Sequence, residues 1–316
     1  MASGCGQDPE IDSSKNKFQS KIPSVIYPAD NEYSDIRWQL GKMLFYNVAF
    51  SNDSSISCAG CHKPELAFAD NVAFSKGAFN RLGTRNTPSL GNVALHPYFT
   101  REGGVASLET QVLVPIQEHN EFDFNILEIV ERLKRDTLIA NMGFEAYNRP
   151  FDYYVLVRAL ATFERGLLSS NSDFDRNELT ENQKAGMELF FSDKTNCSKC
   201  HSGFNFTNYA FANNGLYEKY ADLGRKRLTG LQSDEALFKV ASLRNVAITA
   251  PYMHDGSLPD LPSVINHYNS GGKPHENKSD LIKPLHLNET EKNQLVDFLK
   301  SLTDNQFLAN TTFRLQ

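Results

Sequence analysis

Two pentapeptides, Cys58-Ala-Gly-Cys-His62 and Cys197-Ser-Lys-Cys-His201, constrain this chain more than anything else in its 316 residues. In each, two cysteines about one helical turn apart can add to the two vinyl groups of one haem. The next residue, a histidine, is then held beneath the iron as proximal ligand. The competing chemistry is a structural zinc built from two C-x-x-C pairs. Zinc would leave both histidines unexplained and would need two separated segments to share one metal. The motifs therefore point to two covalently bound haem c groups, attached at Cys58, Cys61, Cys197 and Cys200. His62 and His201 are the expected iron ligands.

The fifth cysteine, Cys5, stands in Met-Ala-Ser-Gly-Cys-Gly, ahead of a polar stretch that runs to Ser20. Covalent haem attachment takes place outside the cytoplasm, so a periplasmic location is expected. Ser-Gly-Cys is similar to the end of a bacterial lipoprotein signal, with Cys5 as the lipidated residue. Hydrophobic residues make up 40% of the chain, and no apolar run approaches the ~20 residues of a membrane span. The formal charge is −6. Without a basic stripe, no nucleic-acid partner is expected.

The segments between the motifs read as helices and loops. Ser34 caps a helix from Asp35 to Tyr46, with Ile36, Leu40 and Leu44 on one face. Ser107 caps a short helix that Pro115 limits. Asn125 to Arg135 is amphipathic, and Tyr153 to Leu168 is a longer helix. Thr180 with Gln183 and Asn288 with Glu291 have capping-box spacing. Asp260 begins another helix, with Pro262 in its first turn. An internal repeat organises these pieces. Gly41-Lys-Met-Leu-Phe-Tyr precedes the first motif and Gly186-Met-Glu-Leu-Phe-Phe the second. Ser89-Leu-Gly-Asn-Val-Ala matches Ser242-Leu-Arg-Asn-Val-Ala, and Pro97-Tyr-Phe is matched to Pro251-Tyr-Met. The expected fold is all-α, with two duplicated cytochrome c-type haem domains and long loops. A disordered leader is expected at 1–22, the first domain at 23–170 and the second at 171–316.

The distal side decides what each haem does. From Lys63 to Leu95 there is no His or Met. After His201 the candidates are Met253, His254, His267 and Tyr268. At this point the chain resembles the bacterial di-haem cytochrome c peroxidase family, which includes a tryptophan-modifying branch acting in methylamine dehydrogenase maturation. The resemblance spans roughly residues 30 to 305. It rests on both haem motifs, Arg85-Asn-Thr-Pro-Ser-Leu, Ser107-Leu-Glu-Thr-Gln, Leu243-Arg-Asn-Val-Ala-Ile-Thr-Ala-Pro-Tyr-Met-His-Asp-Gly and Val264-Ile-Asn-His-Tyr-Asn.

The resemblance implies specific roles. Gln111 and Glu121 fall where the family has its distal amide and catalytic carboxylate, groups suited to orienting peroxide and moving its proton. Asn86, with the backbone oxygens of Thr249 and Pro251, falls at an interdomain calcium site. Tyr268 falls where typical peroxidases carry a Met ligand and the tryptophan-modifying branch a Tyr. Adjacent helix residues point about 100° apart, so His267 and Tyr268 cannot both face one iron.

The chain also departs from the family. Ala78 stands where typical members have a distal His, so the first haem is expected to be open from the start. Arg101-Glu102-Gly103 replaces the Trp-Asp-Gly between the haems, and Thr195 stands where the tryptophan-modifying branch has another Trp. Trp38, the only tryptophan, is expected in the core. The implied activity is reduction of hydrogen peroxide to water at the first haem. Electrons would come from a small cytochrome c or cupredoxin through the second haem, in a protein that could dimerise. A haem-dependent oxidase of a protein side chain and a plain electron-transfer cytochrome are the alternatives.

Overall fold

The computed structural model describes residues 21–315, so Cys5 and nearly all of the expected leader at 1–22 lie outside the described residues. The described chain is helices joined by long loops. Its one sheet is a pair of two-residue strands, Phe211–Ala212 and Phe238–Lys239. No described helix is long and apolar enough to cross a membrane.

Most expected helices form where their caps place them. The Ser34 side chain accepts from the Arg37 amide at the start of Asp35–Phe45. Thr180 and Gln183 close a full capping box on Glu181–Phe190, as do Asn288 and Glu291 on Glu289–Lys300. Each box satisfies two amides that the helix itself cannot. Asp260 caps Leu261–Ser270, with Pro262 in the first turn. The helix after Ser107 differs from expectation. It runs Leu108–Gln111 and continues as Leu113–Gln117, beyond Pro115. Proline is tolerated there because it lies near the start of the second segment, where the missing N–H costs little.

Two helix crossings carry the two cores. Asp35–Phe45 crosses Tyr153–Arg165 so closely that a Cβ on Gly41 would lie 2.0 Å from the Ala159 carbonyl oxygen. Glu181–Phe190 crosses Glu289–Lys300 in the same way, with a Gly186 Cβ 1.9 Å from the Gln294 oxygen. Only glycine permits either approach. A phenylalanine triad sits beside each crossing. Phe45–Phe163 and Phe45–Phe68 ring centroids are 5.0 and 6.0 Å apart, and Phe190–Phe298 and Phe190–Phe206 are 5.1 and 6.0 Å apart. The first core also takes in Phe307 and Phe313 from the end of the chain.

The backbone corrects one register in the repeat. Phe99 bridges to Val105 and Tyr252 to Leu258, and Thr100 and Met253 are both left-handed, at φ 63° and 79°. Asn92 and Asn245 share the same left-handed turn, each before a 3-10 helix. The equivalence therefore stays at 153 residues through this stretch. Met253 corresponds to Thr100, not to Phe99, and the resemblance of Pro97-Tyr-Phe to Pro251-Tyr-Met is one residue out of step with the fold.

Candidate functional site

Each haem motif folds as one short helix, Cys58–Cys61 and Cys197–Cys200, which puts its two thiols on one side. All four thiols are free. Burial pushes each of them upward, Cys61 to about 11, which disfavours the thiolates a metal would need. Among the described residues no three His, Cys, Asp or Glu side chains converge as metal ligands. The two motifs therefore do not meet as one ligand cluster among the described residues.

The two histidines are set alike. His62 Nδ1 donates to the Phe68 carbonyl at 2.8 Å, and His201 Nδ1 to the Phe206 carbonyl at 3.0 Å. This fixes the tautomer and leaves Nε2 as the basic nitrogen that would face an iron. Burial lowers both histidines' affinity for protons, which keeps the rings neutral. Free paired thiols and a tethered neutral imidazole fit covalent haem in both halves.

On the loop that follows the first motif, Ala78 is fully buried. Its N–H donates to the Glu121 carbonyl at 2.7 Å. A Cβ on the preceding Gly77 would lie 2.1 Å from the Asn120 oxygen, so the two loops pack backbone against backbone. The Phe79 amide is held by Asp53 at 2.6 Å, and Arg81 pairs with Asp123. Glu121 lies in range of both first-motif cysteines, since its charge raises Cys58 and Cys61. Loss of solvation pushes the Glu121 carboxyl up to about 7, and the charge of Glu118 adds to this. Glu121 is nevertheless open to solvent.

A cavity of about 420 Å³ takes in Cys197, Cys200, His201 and Tyr268, and extends to Gln111, Asn86, Arg101, Thr249 and Pro251. Gln111 Oε1 and His96 Nε2 are buried in its lining without a protein partner. The structure thus brings Gln111 into the space that reaches the second motif. Glu121 is not among that cavity's lining residues.

Three of the second-site candidates, Met253, His254 and Tyr268, line the cavity. Asn214 Nδ2 is 3.1 Å from Met253 Sδ and 3.4 Å from the Tyr268 hydroxyl. Burial raises Tyr268, the Asn214 hydrogen bond opposes the rise, and the charges of Cys197 and Cys200 reach the hydroxyl. His267 is turned away, its Nε2 donating to the Asn214 carbonyl at 3.0 Å. His254 is stacked on Phe238 with ring centroids 4.3 Å apart.

Asn86 is committed on two sides. Its Nδ2 donates to the Val72 carbonyl, and its own carbonyl accepts from the Arg101 guanidinium at 2.6 Å. Thr195 is buried, its hydroxyl donating to the Leu189 carbonyl. Trp38 is half-buried rather than in the core itself, and packs against it with its ring 5.4 Å from that of Phe163. Sequence reasoning missed Glu164, Asn214 and Lys239. Burial pushes Glu164 up to about 8, and its charge reaches Cys58. The only sequence signal for it was a carboxylate inside the apolar run Leu160-Ala-Thr-Phe-Glu.

Comparison with known proteins bears on the chemistry. A family model described as di-haem cytochrome c peroxidase matches residues 36–184. The methylamine utilization protein MauG of Methylorubrum extorquens is 34% identical, over 88% of this chain and 81% of its own length. The cytochrome-c peroxidase IdrP1 of Pseudomonas sp. (strain SCT) is 30% identical, over 89% of this chain and 84% of its own. The crystal structure of a MauG-like protein associated with microbial copper homeostasis superposes with a TM-score of 0.89 at 31% identity. That match covers 96% of this chain and 98% of the other.

Proposed function

This chain belongs to the di-haem cytochrome c peroxidase family, a family of oxidoreductases, and within it we propose that the chain reduces hydrogen peroxide at the first haem site. Electrons arrive through the second. Bound haem supplies the redox chemistry, and the residues around it handle protons and access. Glu121 takes a proton from hydrogen peroxide and returns it to the departing oxygen. Its value near 7 suits both halves of that exchange. The resemblance gives Gln111 the task of orienting the peroxide oxygens; its Oε1 is buried without a protein partner, in the cavity shared with the second motif.

The observation that carries this reading is Ala78, a buried methyl where typical relatives have a blocking His, with its amide tied to the Glu121 carbonyl. No His or Met lies on this loop, and the loop is anchored at Asp53 and Asp123 as well. The test is turnover. Protein carrying both haems is given hydrogen peroxide and a small reducing protein of cytochrome c or cupredoxin type. Loss of peroxide matched to donor oxidation supports the reading, and no donor oxidation refutes it.

A second reading, oxidation of a side chain on a partner protein, is favoured by the likeness to MauG. Peroxide consumption without turnover of small donors selects it. In either reading Tyr268 would hold the second haem's iron, with Met253 as competitor. A calcium ion is part of the same proposal. Because the Asn86 carbonyl already accepts from Arg101, the ion relies on Asn86 Oδ1 with the Thr249 and Pro251 carbonyls, and chelation tests it. Duplication of one haem domain, divided near residue 170, accounts for the matched crossings and triads. We place the protein in the periplasm, with Cys5 as its lipid anchor, which mass measurement of the mature protein tests.

A further inference from the structure

One contact between the two halves is made twice. The Asn86 N–H donates to the His254 carbonyl at 2.8 Å, and the Lys239 N–H donates to the Arg101 carbonyl at 2.7 Å. Shifting Asn86 and Arg101 by 153 residues lands on Lys239 and His254. The second bond is therefore the first one seen from the other half. Its centre holds two cations, and the repeat does not explain them, since their counterparts are an asparagine and a histidine.

Both cations lack an acidic partner. The Arg101 guanidinium bonds the Asn86 carbonyl at 2.6 Å, and the Lys239 ammonium bonds the Tyr98 carbonyl at 3.0 Å. Among the described residues neither forms an ion pair. The acids nearby are engaged elsewhere. Glu102 pairs with Arg85 at 2.5 Å and with Arg227, Asp222 holds Arg85, and Asp255 accepts from Tyr217. Arg101 and Lys239 both line the cavity that contains Cys197, Cys200 and His201. Their neighbours there, His96 Nε2 and Gln111 Oε1, are buried without partners. Two neighbouring charges held by backbone carbonyls, with only the Tyr98 ring 5.6 Å from the ammonium besides, are costly away from water, and an anion between them offsets that cost.

We propose that Arg101 and Lys239 bind a propionate of the second haem, so that the chain has exchanged the family's inter-haem aromatic for a charge clamp. The chemistry fits. The guanidinium fork can take both oxygens of a carboxylate, and the ammonium adds a point charge beside it. Two cations at the haem edge disfavour the more positive, oxidised iron and raise the second haem's potential. They oppose the effect of a phenolate at Tyr268. The inference rests on the second haem alone, not on peroxide chemistry, so a peroxide-inert protein leaves it standing.

The test is an equilibrium redox titration of the protein carrying both haems. Arg101→Gln is expected to shift the second haem's reduction equilibrium about tenfold toward the oxidised form, ~59 mV for one electron. Lys239→Met shifts it in the same direction. Arg101→Lys, which keeps the charge, recovers most of the value. If Arg101→Gln does not load haem, Lys239→Met decides by the same criterion. An unchanged potential in a loaded charge-removing variant overturns the proposal. So does an Arg101→Lys shift as large as that of Arg101→Gln, which marks a packing role. A potential in the unaltered protein that follows added inorganic phosphate also overturns it, because the clamp then holds a free anion.

Discussion

Around His62 and around His201 the scaffold is the same. Each ring is tethered through Nδ1 to a phenylalanine carbonyl, each motif is one short helix, and each lies beside a glycine crossing with a phenylalanine triad. The distal sides share little. Above the second motif the cavity holds Tyr268 and Met253, both within reach of the Asn214 amide. At the 153-residue offset the counterpart of Tyr268 is Pro115, which has no ligating atom. The first half presents Ala78 and a carboxyl near 7 instead. A common proximal scaffold thus supports two different sites, and the difference lies in the residues supplied by loops and one short helix.

The comparison breaks most visibly at Glu121, which has no counterpart in the second cavity. Glu121→Gln is expected to slow the peroxide reaction about 10²–10⁴-fold, the contribution of a positioned acid–base group. Haem content and the second haem's spectrum stay unchanged. Stopped-flow mixing with peroxide measures this, and an unaltered rate makes Glu121 a bystander.

Tyr268→Phe is the matching change in the other half. It should perturb the oxidised spectrum and potential of the second haem alone. Met253→Leu should leave both intact. If the roles reverse, Met253 is the ligand and the Asn214 contact serves it.

The glycines test the sameness of the two scaffolds. Gly41→Ala and Gly186→Ala each force a methyl to within about 2 Å of a carbonyl oxygen. Overpacking of this kind costs about 1–3 kcal/mol, occasionally more. Chemical denaturation should show similar losses for both. A large loss in only one means that the crossings are not equivalent.

The smallest effect concerns pH. Glu121 acts as a base only when ionised, so the peroxide rate should rise as pH increases through about 7 and level off above it. Glu118→Gln removes a like charge, lowers the Glu121 value and moves this rise to lower pH. A rate that falls across the same range assigns the titration to another group.

How much of this was legible in the sequence depended on whether the determinant was local. Ser34, Thr180 with Gln183, Asp260 and Asn288 with Glu291 were readable because a cap is satisfied within three residues. The haem motifs were readable for the same reason. The helix Thr137–Tyr147 was not foreseen. Leu138 and Phe144 are exposed on it while Ile139 and Ala146 are buried, so its apolar residues trace no clean stripe. The repeat slipped by one residue at Pro97-Tyr-Phe because similar residue types outweighed backbone register. Arg101 was visible only as a missing tryptophan, and Lys239 and Asn214 gave no signal. Their significance comes from burial between elements far apart in sequence.

The central claim is that the first site is open without prior reduction. Hydrogen peroxide added to the fully oxidised two-haem protein, with no donor present, tests it directly. The account predicts a high-spin first haem before mixing, followed by an immediate spectral change and loss of peroxide. A protein that is wholly low-spin and inert until one electron has been added would contradict it.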